Sequence, residues 1–341
     1  MSTDPQSSSV APKQAPDEGS LDLALRPQTF DEYIGQEKIK RNLRVLLKAA
    51  TMRSQAPEHM LLHGPSGLGK TTLAYLIAKE LDANVKITSG TALEKAGDVG
   101  SILTGLTHGD VLFIDEVHRL NKSVEEVIYP AMENFKLDIV IGKGNAAKTL
   151  QIDLPHFTLV AATTKISQLS TPFRSRFGAN YRLDYYQDNE ILTILDRSAS
   201  LLGITVEKEA LEAIARSARQ TPRIANRLLK RVRDYAQVHE IAIIDASTAT
   251  KALAMMEIDE KGLEETDRQI LRIIAEKYGG GPVGIKTLAA ALSEEESTIE
   301  DVYEPYLLQI SFLDRTPKGR VITDSGREHI GLPTTRRSLD F

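Results

Sequence analysis

Gly64-Pro65-Ser66-Gly67-Leu68-Gly69-Lys70-Thr71 constrains this chain more than any other stretch. It fits G-x-x-x-x-G-K-[ST], a loop that needs a buried strand before it and a helix after it. Both flanks are present. His59-Met60-Leu61-Leu62-His63 reads as a short buried strand, and Thr71 to Leu81 reads as a helix. A strand–turn–helix of this kind aims several backbone N–H groups, and the positive end of a helix dipole, at one anion. Lys70 can then reach the β- and γ-phosphates of a nucleotide, and the Thr71 hydroxyl can bind Mg²⁺. ATP and Mg²⁺ are therefore the expected ligands.

The rest of the composition sets bounds. At 341 residues the chain should hold two or three domains of roughly 150 residues each. It is 41% hydrophobic and 26% charged, the balance of an ordinary globular protein. Its apolar runs are far shorter than the ~18 residues of a membrane span, so no membrane role is expected. The N-terminus lacks the basic start and apolar stretch of a secretory signal. There are no cysteines, which excludes disulfides and thiolate metal sites and agrees with a cytoplasmic location. With a net charge of −5, any contact with nucleic acid must rest on local basic patches.

Residues 1–20 are polar and lack periodicity, the signature of a disordered tail. Short apolar strands then alternate with helical segments through residues 21–185. The strands fall near Leu61, Val85 to Ile87, Val111 to Ile114, Leu159 to Ala162 and Tyr181 to Leu183. Such alternation predicts an α/β domain with a parallel sheet covered on both faces. Residues 186–257 carry helical signals only, which predicts a small helical domain. Glu257 to Glu265 is acidic and reads as a linker. Residues 258–332 give three helices, then a hairpin about Pro317 and Gly319, the order of a winged helix. Residues 333–341 read as a loose tail.

Val111-Leu112-Phe113-Ile114-Asp115-Glu116 is an apolar strand ending in two carboxylates. Sheet order usually sets such an end beside the phosphate loop. Asp115 would hold Mg²⁺, and Glu116 would orient and deprotonate the attacking water. Ala161-Ala162-Thr163-Thr164 ends another buried strand in two hydroxyls. One of them can reach that water or the γ-phosphate; Thr164 is the choice, with Thr163 still open. Arg174 and Arg176 follow, and an arginine here can stabilise a transferring phosphoryl group, often from a neighbouring subunit. A surface salt bridge is the ordinary alternative. Thr221-Pro222 opens a helix that places Arg223 near its positive end, where it could contact phosphate.

Together these pieces resemble the AAA+ ATPases. Lys70 and Asp115 match the Walker A and B roles, Glu116 the catalytic base, Thr164 sensor 1, Arg176 the trans arginine finger and Arg223 sensor 2. Longer strings are similar to the RuvB family of bacterial Holliday-junction branch-migration motors. They are Arg26-Pro27…Phe30…Tyr33-Ile34-Gly35-Gln36, the loop Gly64 to Thr72, Leu112 to Leu120, Tyr129 to Glu133 and Thr221 to Arg227. The likeness runs from about Leu21 to Leu332. It implies an AAA+ ATPase domain, a helical lid and a winged-helix head. It implies nucleotide contacts at Leu25, Arg26, Gly67, Gly69, Lys70, Thr71, Thr72 and Tyr186, and at Glu133, Asn134, Phe135, Arg176 and Arg223. It also implies DNA contacts at Arg315 and Arg320 on the wing. A hairpin over 137–152 would dock a RuvA-type junction-binding protein, and a RuvC-type nuclease is a further partner. The chain departs from the family at Ser66, Phe173, Ala179-Asn180 and the hairpin turn Gly142-Lys143-Gly144-Asn145.

The expectation is a homo-hexameric ring that moves four-way junction arms through sequence-independent backbone contacts. Nucleotide would bind where sheet and helical domains meet, with Arg176 supplied by a neighbour. A replication initiator or helicase loader, also AAA+ with a winged helix, is the alternative. Glu294, Glu295, Glu296, Glu300 and Asp301 lie at the start of the third helix and oppose the deep major-groove insertion such a protein would use. An unfoldase would want a pore-loop aromatic, and Ser89 to Gly105 has none. A clamp loader would end in a helical collar instead of a hairpin-bearing domain.

Overall fold

The computed structural model describes residues 18–141 and 148–334. Its chain divides into two compact units. The first is Gly69–Leu183 with the chain up to Gly64, and the second is Asp184 onward with Pro65–Leu68.

In the first unit the order is α1 (Glu18–Leu25), α2 (Glu37–Met52), β1 (Met60–His63), α3 (Lys70–Glu80), β2 (Val85–Ser89), α4 (Ala96–Thr104), β3 (Val111–Asp115) and α5 (Lys122–Asn134). Then come β4 (Lys136–Ile141), β5 (Lys148–Asp153), β6 (Thr158–Thr163), α6 (Thr171–Arg174) and β7 (Ala179–Arg182). Helix α1 begins at Glu18, inside the stretch expected to be a tail; the rest of that stretch lies outside the described residues.

Strands β1, β3 and β6 are buried apolar runs, the composition of parallel strands covered on both faces. They join β2 and β7 in one sheet of order β2-β3-β6-β1-β7, every pair parallel. Leu61, Leu112, Ile114, Leu159 and Ala161 pack against Val99 and Leu103 of α4 and Val124, Ile128 and Ala131 of α5. Each such large side chain contributes about 1.5–3 kcal/mol by leaving water. Because all five strands run the same way, their C-terminal ends share one edge. The turns after β1, β3 and β6 emerge there, and they carry the residues singled out for chemistry.

Strands β4 and β5 form a separate antiparallel hairpin, Lys136↔Asp153 to Ile141↔Lys148. Leu137 is buried at its base and Leu150 is exposed. The turn at Gly142 to Asn145 lies outside the described residues.

The second unit opens with α7 (Asp188–Leu202), β8 (Thr205–Val206), α8 (Lys208–Arg216), α9 (Pro222–Val238), β9 (Ile243–Ile244) and α10 (Ala246–Met255). The helical reading omitted one feature. The two-residue strands β8 and β9 pair in parallel, too short to leave a periodic signal.

After the connection come α11 (Glu265–Arg272), α12 (Ile285–Leu292), α13 (Glu296–Thr298), α14 (Glu304–Gln309), β10 (Leu313–Thr316), β11 (Gly319–Ile322) and α15 (Asp324–His329). Turns of π-helix extend α11 over 273–277 and join α13 to α14. Three helical segments and an antiparallel hairpin make the winged helix. The loose tail expected from 333 is described only to residue 334.

The stretch Glu257 to Glu265 is not a free linker. Asp259 accepts hydrogen bonds from the Lys261 and Leu263 N–H groups, both at 2.9 Å, and meets His329 Nε2 at 2.8 Å. The Gly262 carbonyl accepts from Arg219 Nε at 2.7 Å, and Tyr306 Oη donates to the Lys261 carbonyl at 2.6 Å. Leu263 is fully buried. Asp259 is an internal acceptor at a packed joint. Burial pushes the Asp259 carboxyl up, but the His329 contact and the two N–H donors outweigh it and hold it below the usual range.

His59 ties the first unit together. Its Nδ1 accepts from the Leu159 N–H at 2.9 Å, and its Nε2 donates to the Met132 carbonyl at 3.0 Å. Both bonds require the neutral ring. Burial, against a smaller opposing effect of the Met132 bond, lowers its pKa. A depressed histidine pKa means the unfolded chain takes up the proton first. Stability is then full above about pH 6.5, the ordinary histidine value, and falls as pH drops below it. Urea unfolding of the first unit should lose stability in that range. His59→Gln should be less stable at pH 8 and should show a flatter dependence; an unchanged slope would contradict this.

Candidate active site

Within the first unit the sheet edge collects the predicted groups. Gly69 precedes α3 at φ 95°, and a Cβ there would stand 2.8 Å from Tyr33 Oη. Only glycine meets both conditions without strain. Lys70 is buried and its Nζ donates to the Gly64 carbonyl at 2.9 Å. One residue on, Thr71 Oγ1 lies 3.4 Å from Asp115 Oδ2 across the edge. Asp115 Oδ1 accepts from the Glu116 N–H at 2.9 Å.

Thr71 and Asp115 are hard oxygen donors, as Mg²⁺ requires. No cluster of three or more His, Cys, Asp or Glu among the described residues could hold a metal ion. The donor set therefore fits a Mg²⁺ shared with phosphate oxygens and water, not one held in an all-protein cage.

Glu116 sits at φ 48°, in the left-handed region, and starts a single 3-10 turn over Val117–Arg119. That sharp reversal turns its carboxylate toward β6. Thr164 Oγ1 donates to Glu116 Oε2 at 3.1 Å. Thr163 is fully buried; its Oγ1 lies 2.9 Å from His118 Nδ1 and accepts from the Lys165 N–H at 3.0 Å. Of the two threonines, Thr164 is thus the one that touches Glu116. His118 received no role from the sequence, although it lies two residues beyond Glu116 in a string that carried the resemblance.

Arg176 lies in the same unit. Its guanidinium pairs with Glu133 at 3.0 Å, donates to the Pro172 carbonyl at 2.6 Å and stacks 4.2 Å above the Tyr129 ring. Tyr129 Oη is itself held by Glu125 at 2.7 Å, and Ser170 donates to the same Glu125 oxygen at 2.7 Å. Arg176 Nε is buried without a partner. Phe135 belongs to an aromatic cluster with His59, His156 and Phe157. Asn134 ends α5 between them. Leu25 is buried, and Arg26 lies over the ring of Tyr75.

Within the second unit, residues 65–68 meet the start of α9. Gly67 has φ 80°, and a Cβ there would come within 3.2 Å of the Arg223 Cβ. The Arg223 N–H reaches the Gly67 carbonyl at 3.4 Å, and its guanidinium reaches Ser66 Oγ at 3.3 Å. Tyr186 is buried, with its hydroxyl donating to the Leu68 carbonyl at 3.2 Å. So Gly67, Tyr186 and Arg223 are brought together around the loop.

The wing sets its two arginines in different surroundings. Arg315 and Arg320 face each other across β10 and β11. Arg315 is 58% exposed, but Arg320 is only 6% exposed. Arg320 is clamped by Glu304 through bonds of 3.1 and 2.8 Å, and by Glu300 at 2.8 Å. Of the two arginines expected to contact DNA, one is thus exposed and the other is buried in a carboxylate clamp. Strand alternation cannot separate them, because cross-strand partners point to the same face. Burial lowers the Arg320 pKa, but the two glutamates outweigh it, so the net direction is upward.

Three families match in sequence along the chain. They are the Holliday junction DNA helicase RuvB P-loop domain over residues 25–183, the RuvB AAA lid domain over 186–259 and the RuvB C-terminal winged helix domain over 260–331. The chain is 54% identical to the Holliday junction branch migration complex subunit RuvB of Chloroflexus aggregans over 97% of its length and 94% of that protein's. It is 52% identical to the protein of the same description from Dehalococcoides mccartyi, over 95% and 93%. Among solved structures it matches the Thermotoga maritima RuvB Holliday junction branch migration motor, with a TM-score of 0.83 and 49% identity. That match covers 91% of this chain and 99% of the other.

Removing the Arg320 guanidinium strands Glu304, which is 2% exposed. Breaking such a buried pair from one side costs about 3–5 kcal/mol. Arg320→Ala should therefore lower the unfolding transition of the second unit, whereas Arg315→Ala should leave it unmoved. Equal melting of the two variants would contradict this assignment.

Proposed function

The chain belongs to the RuvB family, and on that premise we propose how its residues drive the branch migration of Holliday junctions. It is an AAA+ ATP hydrolase with a winged-helix head, and it acts in DNA recombination and repair. The observation that carries the reading is the shared sheet edge, where Thr71 meets Asp115 and Thr164 meets Glu116. The initiator or loader alternative is not favoured, given relatives at this identity over nearly the whole chain.

In this reading the loop N–H groups and Lys70 hold the phosphates. Gly67, Gly69, Thr72, Leu25, Arg26 and Tyr186 line the nucleotide, and Arg223 meets its phosphates. Thr71 and Asp115 hold Mg²⁺, which supplies charge neutralisation as the phosphoryl group transfers. Glu116 takes the proton of the attacking water, and Thr164 fixes the carboxylate that does so. Arg176 serves a neighbouring subunit of a homo-hexamer, with Glu133, Asn134 and Phe135 on the same side. To do so it must leave Glu133 for the neighbour's nucleotide. Arg315 contacts the DNA backbone, and Arg320 braces the hairpin that presents it. The β4–β5 hairpin, with Leu150 exposed, docks a RuvA-type protein. A RuvC-type nuclease acts on the same junction. The reading places the motor in the cytoplasm, where the DNA is. No helix among the described residues is long and apolar enough to cross a membrane.

The decisive measurement is ATP-dependent dissociation of a synthetic four-way junction, with and without a RuvA-type protein. Glu116→Gln should bind ATP normally and lose turnover by about 100-fold or more, the scale of a missing general base. Junction dissociation should disappear with it. Wild-type ATP hydrolysis that never moves the junction, partner present, would overturn the motor reading.

For the ring, Arg176→Ala and Lys70→Ala are each expected to be inactive alone. A mixture should recover part of the ATPase activity, because some interfaces then join an intact Arg176 to an intact Lys70. Failure to recover any would mean that Arg176 acts within its own chain.

A further inference from the structure

We propose that His118 is a positioning residue for the hydrolytic base. It rests on the reading of Glu116 as that base. His118 Nδ1 lies 3.2 Å from Glu116 Oε2 and 2.9 Å from Thr163 Oγ1. The ring is nearly fully buried, while the Glu116 side chain is 37% exposed. One buried group thus touches both the part-exposed carboxylate and the end of strand β6.

The chemistry fixes which atom carries the proton. An ionised carboxylate can only accept. Were Nδ1 a bare lone pair, it would face a carboxylate oxygen at 3.2 Å and be repelled. With hydrogen on Nδ1, the ring donates toward Glu116 and Thr163. Thr163 Oγ1 can receive it, as it already does the Lys165 N–H. The negative charge therefore selects the Nδ1–H tautomer.

Thr164 donates to the same oxygen, Oε2. Both donors thus grip one side of the carboxylate, and Oε1 is the oxygen left to take the water's proton. The grip is set by backbone. Glu116 is left-handed, and the 3-10 turn after it brings His118 back beneath the carboxylate. Gly90 lets the turn sit close to β2, since a Cβ there would be 2.4 Å from the Glu116 carbonyl oxygen. Because His118 and Thr164 reach Glu116 from two different strand ends, a shift of β6 against β3 would loosen the base. The device orients the base only while the strand carrying Thr163 and Thr164 is in register.

The test compares near-isosteric replacements in the full chain. Asparagine places an N–H near the position of Nδ1, leucine has the same shape without a donor, and glutamine places its N–H farther out. His118→Leu should lower the ATPase kcat by 10- to 100-fold, with the affinity for a fluorescent ATP analogue within twofold of wild type. His118→Asn should recover most of that loss, and His118→Gln should not. Should His118→Leu fail to fold, the Asn-to-Gln difference in kcat still decides. Leucine within twofold of wild type, or asparagine and glutamine equally impaired, would overturn the proposal. Glu116→Gln run alongside separates the two readings. If it is inactive while His118→Leu is active, only the histidine role fails. If Glu116→Gln itself turns over normally, the base assignment fails.

Discussion

The parallel register of β3, β6 and β1 is the constraint on which the rest of the first unit depends. Ile114 sits opposite Ala161, and His63 sits opposite Thr163. One residue further along each strand come Asp115, Thr164 and Gly64. Chemistry-bearing residues thus follow buried apolar runs directly, with no long loop between core and site. Each run is anchored by side chains that lose several kcal/mol if they slip toward water. A slip of one residue in any strand would also turn its side chains to the opposite face. The precision needed by Thr71–Asp115 and Thr164–Glu116 is inherited from hydrophobic packing.

Packing alone does not aim the groups. At the edge the chain uses sparsely populated backbone instead. Gly67 and Gly69 have positive φ at no steric cost, but Glu116 does not have that freedom. A non-glycine residue held there costs about 1–3 kcal/mol and persists only where its surroundings over-determine it. At Glu116 they do. Its N–H is taken by Asp115 Oδ1, its carbonyl by the Arg119 N–H, and its side chain by Thr164. Arg219 and Gln220, both left-handed, lie immediately before Thr221 and α9. There the Arg219 side chain is buried against Asp267 and lies over the Tyr306 ring. The Gln220 carbonyl accepts from the Tyr186 N–H. The turn that sets the position of Arg223 in the lid is therefore fixed by residues of the winged helix.

Much of this was legible in the sequence, for a physical reason. Buried parallel strands must be apolar runs, and a phosphate loop must be glycine-rich, so both leave strings that can be read. Three things were not legible. Residues 257–265 read as a linker because acidic, aperiodic sequence usually is solvated; nothing local reveals that His329, some seventy positions away, completes Asp259. The β8–β9 pair is two residues long and carries no period. His118 lay in view within the string from Leu112 to Leu120, but a histidine after a carboxylate has no signature until a turn folds it back.

The arginines show the same limit most sharply. By composition Arg176, Arg219, Arg315 and Arg320 are alike, yet their surroundings give them different capacities to act. Arg219 and Arg320 are buried against carboxylates that are themselves almost fully buried. Withdrawing either would strand a charge, so each is committed to the fold. Arg315 pairs with Glu300 at 3.3 Å from an exposed position, and an exposed pair is worth at most about 1 kcal/mol. So weak a pair leaves the Arg315 guanidinium available to an anion from outside the chain. Arg176 stands between the two classes. Glu133, its partner, is half exposed, which makes the ion pair weak, while Tyr129 beneath it is locked by Glu125 and Ser170. The ring keeps the guanidinium in place and the carboxylate can let it go. Of the four arginines, Arg176 thus combines a fixed aromatic platform with an ion pair weak enough to release.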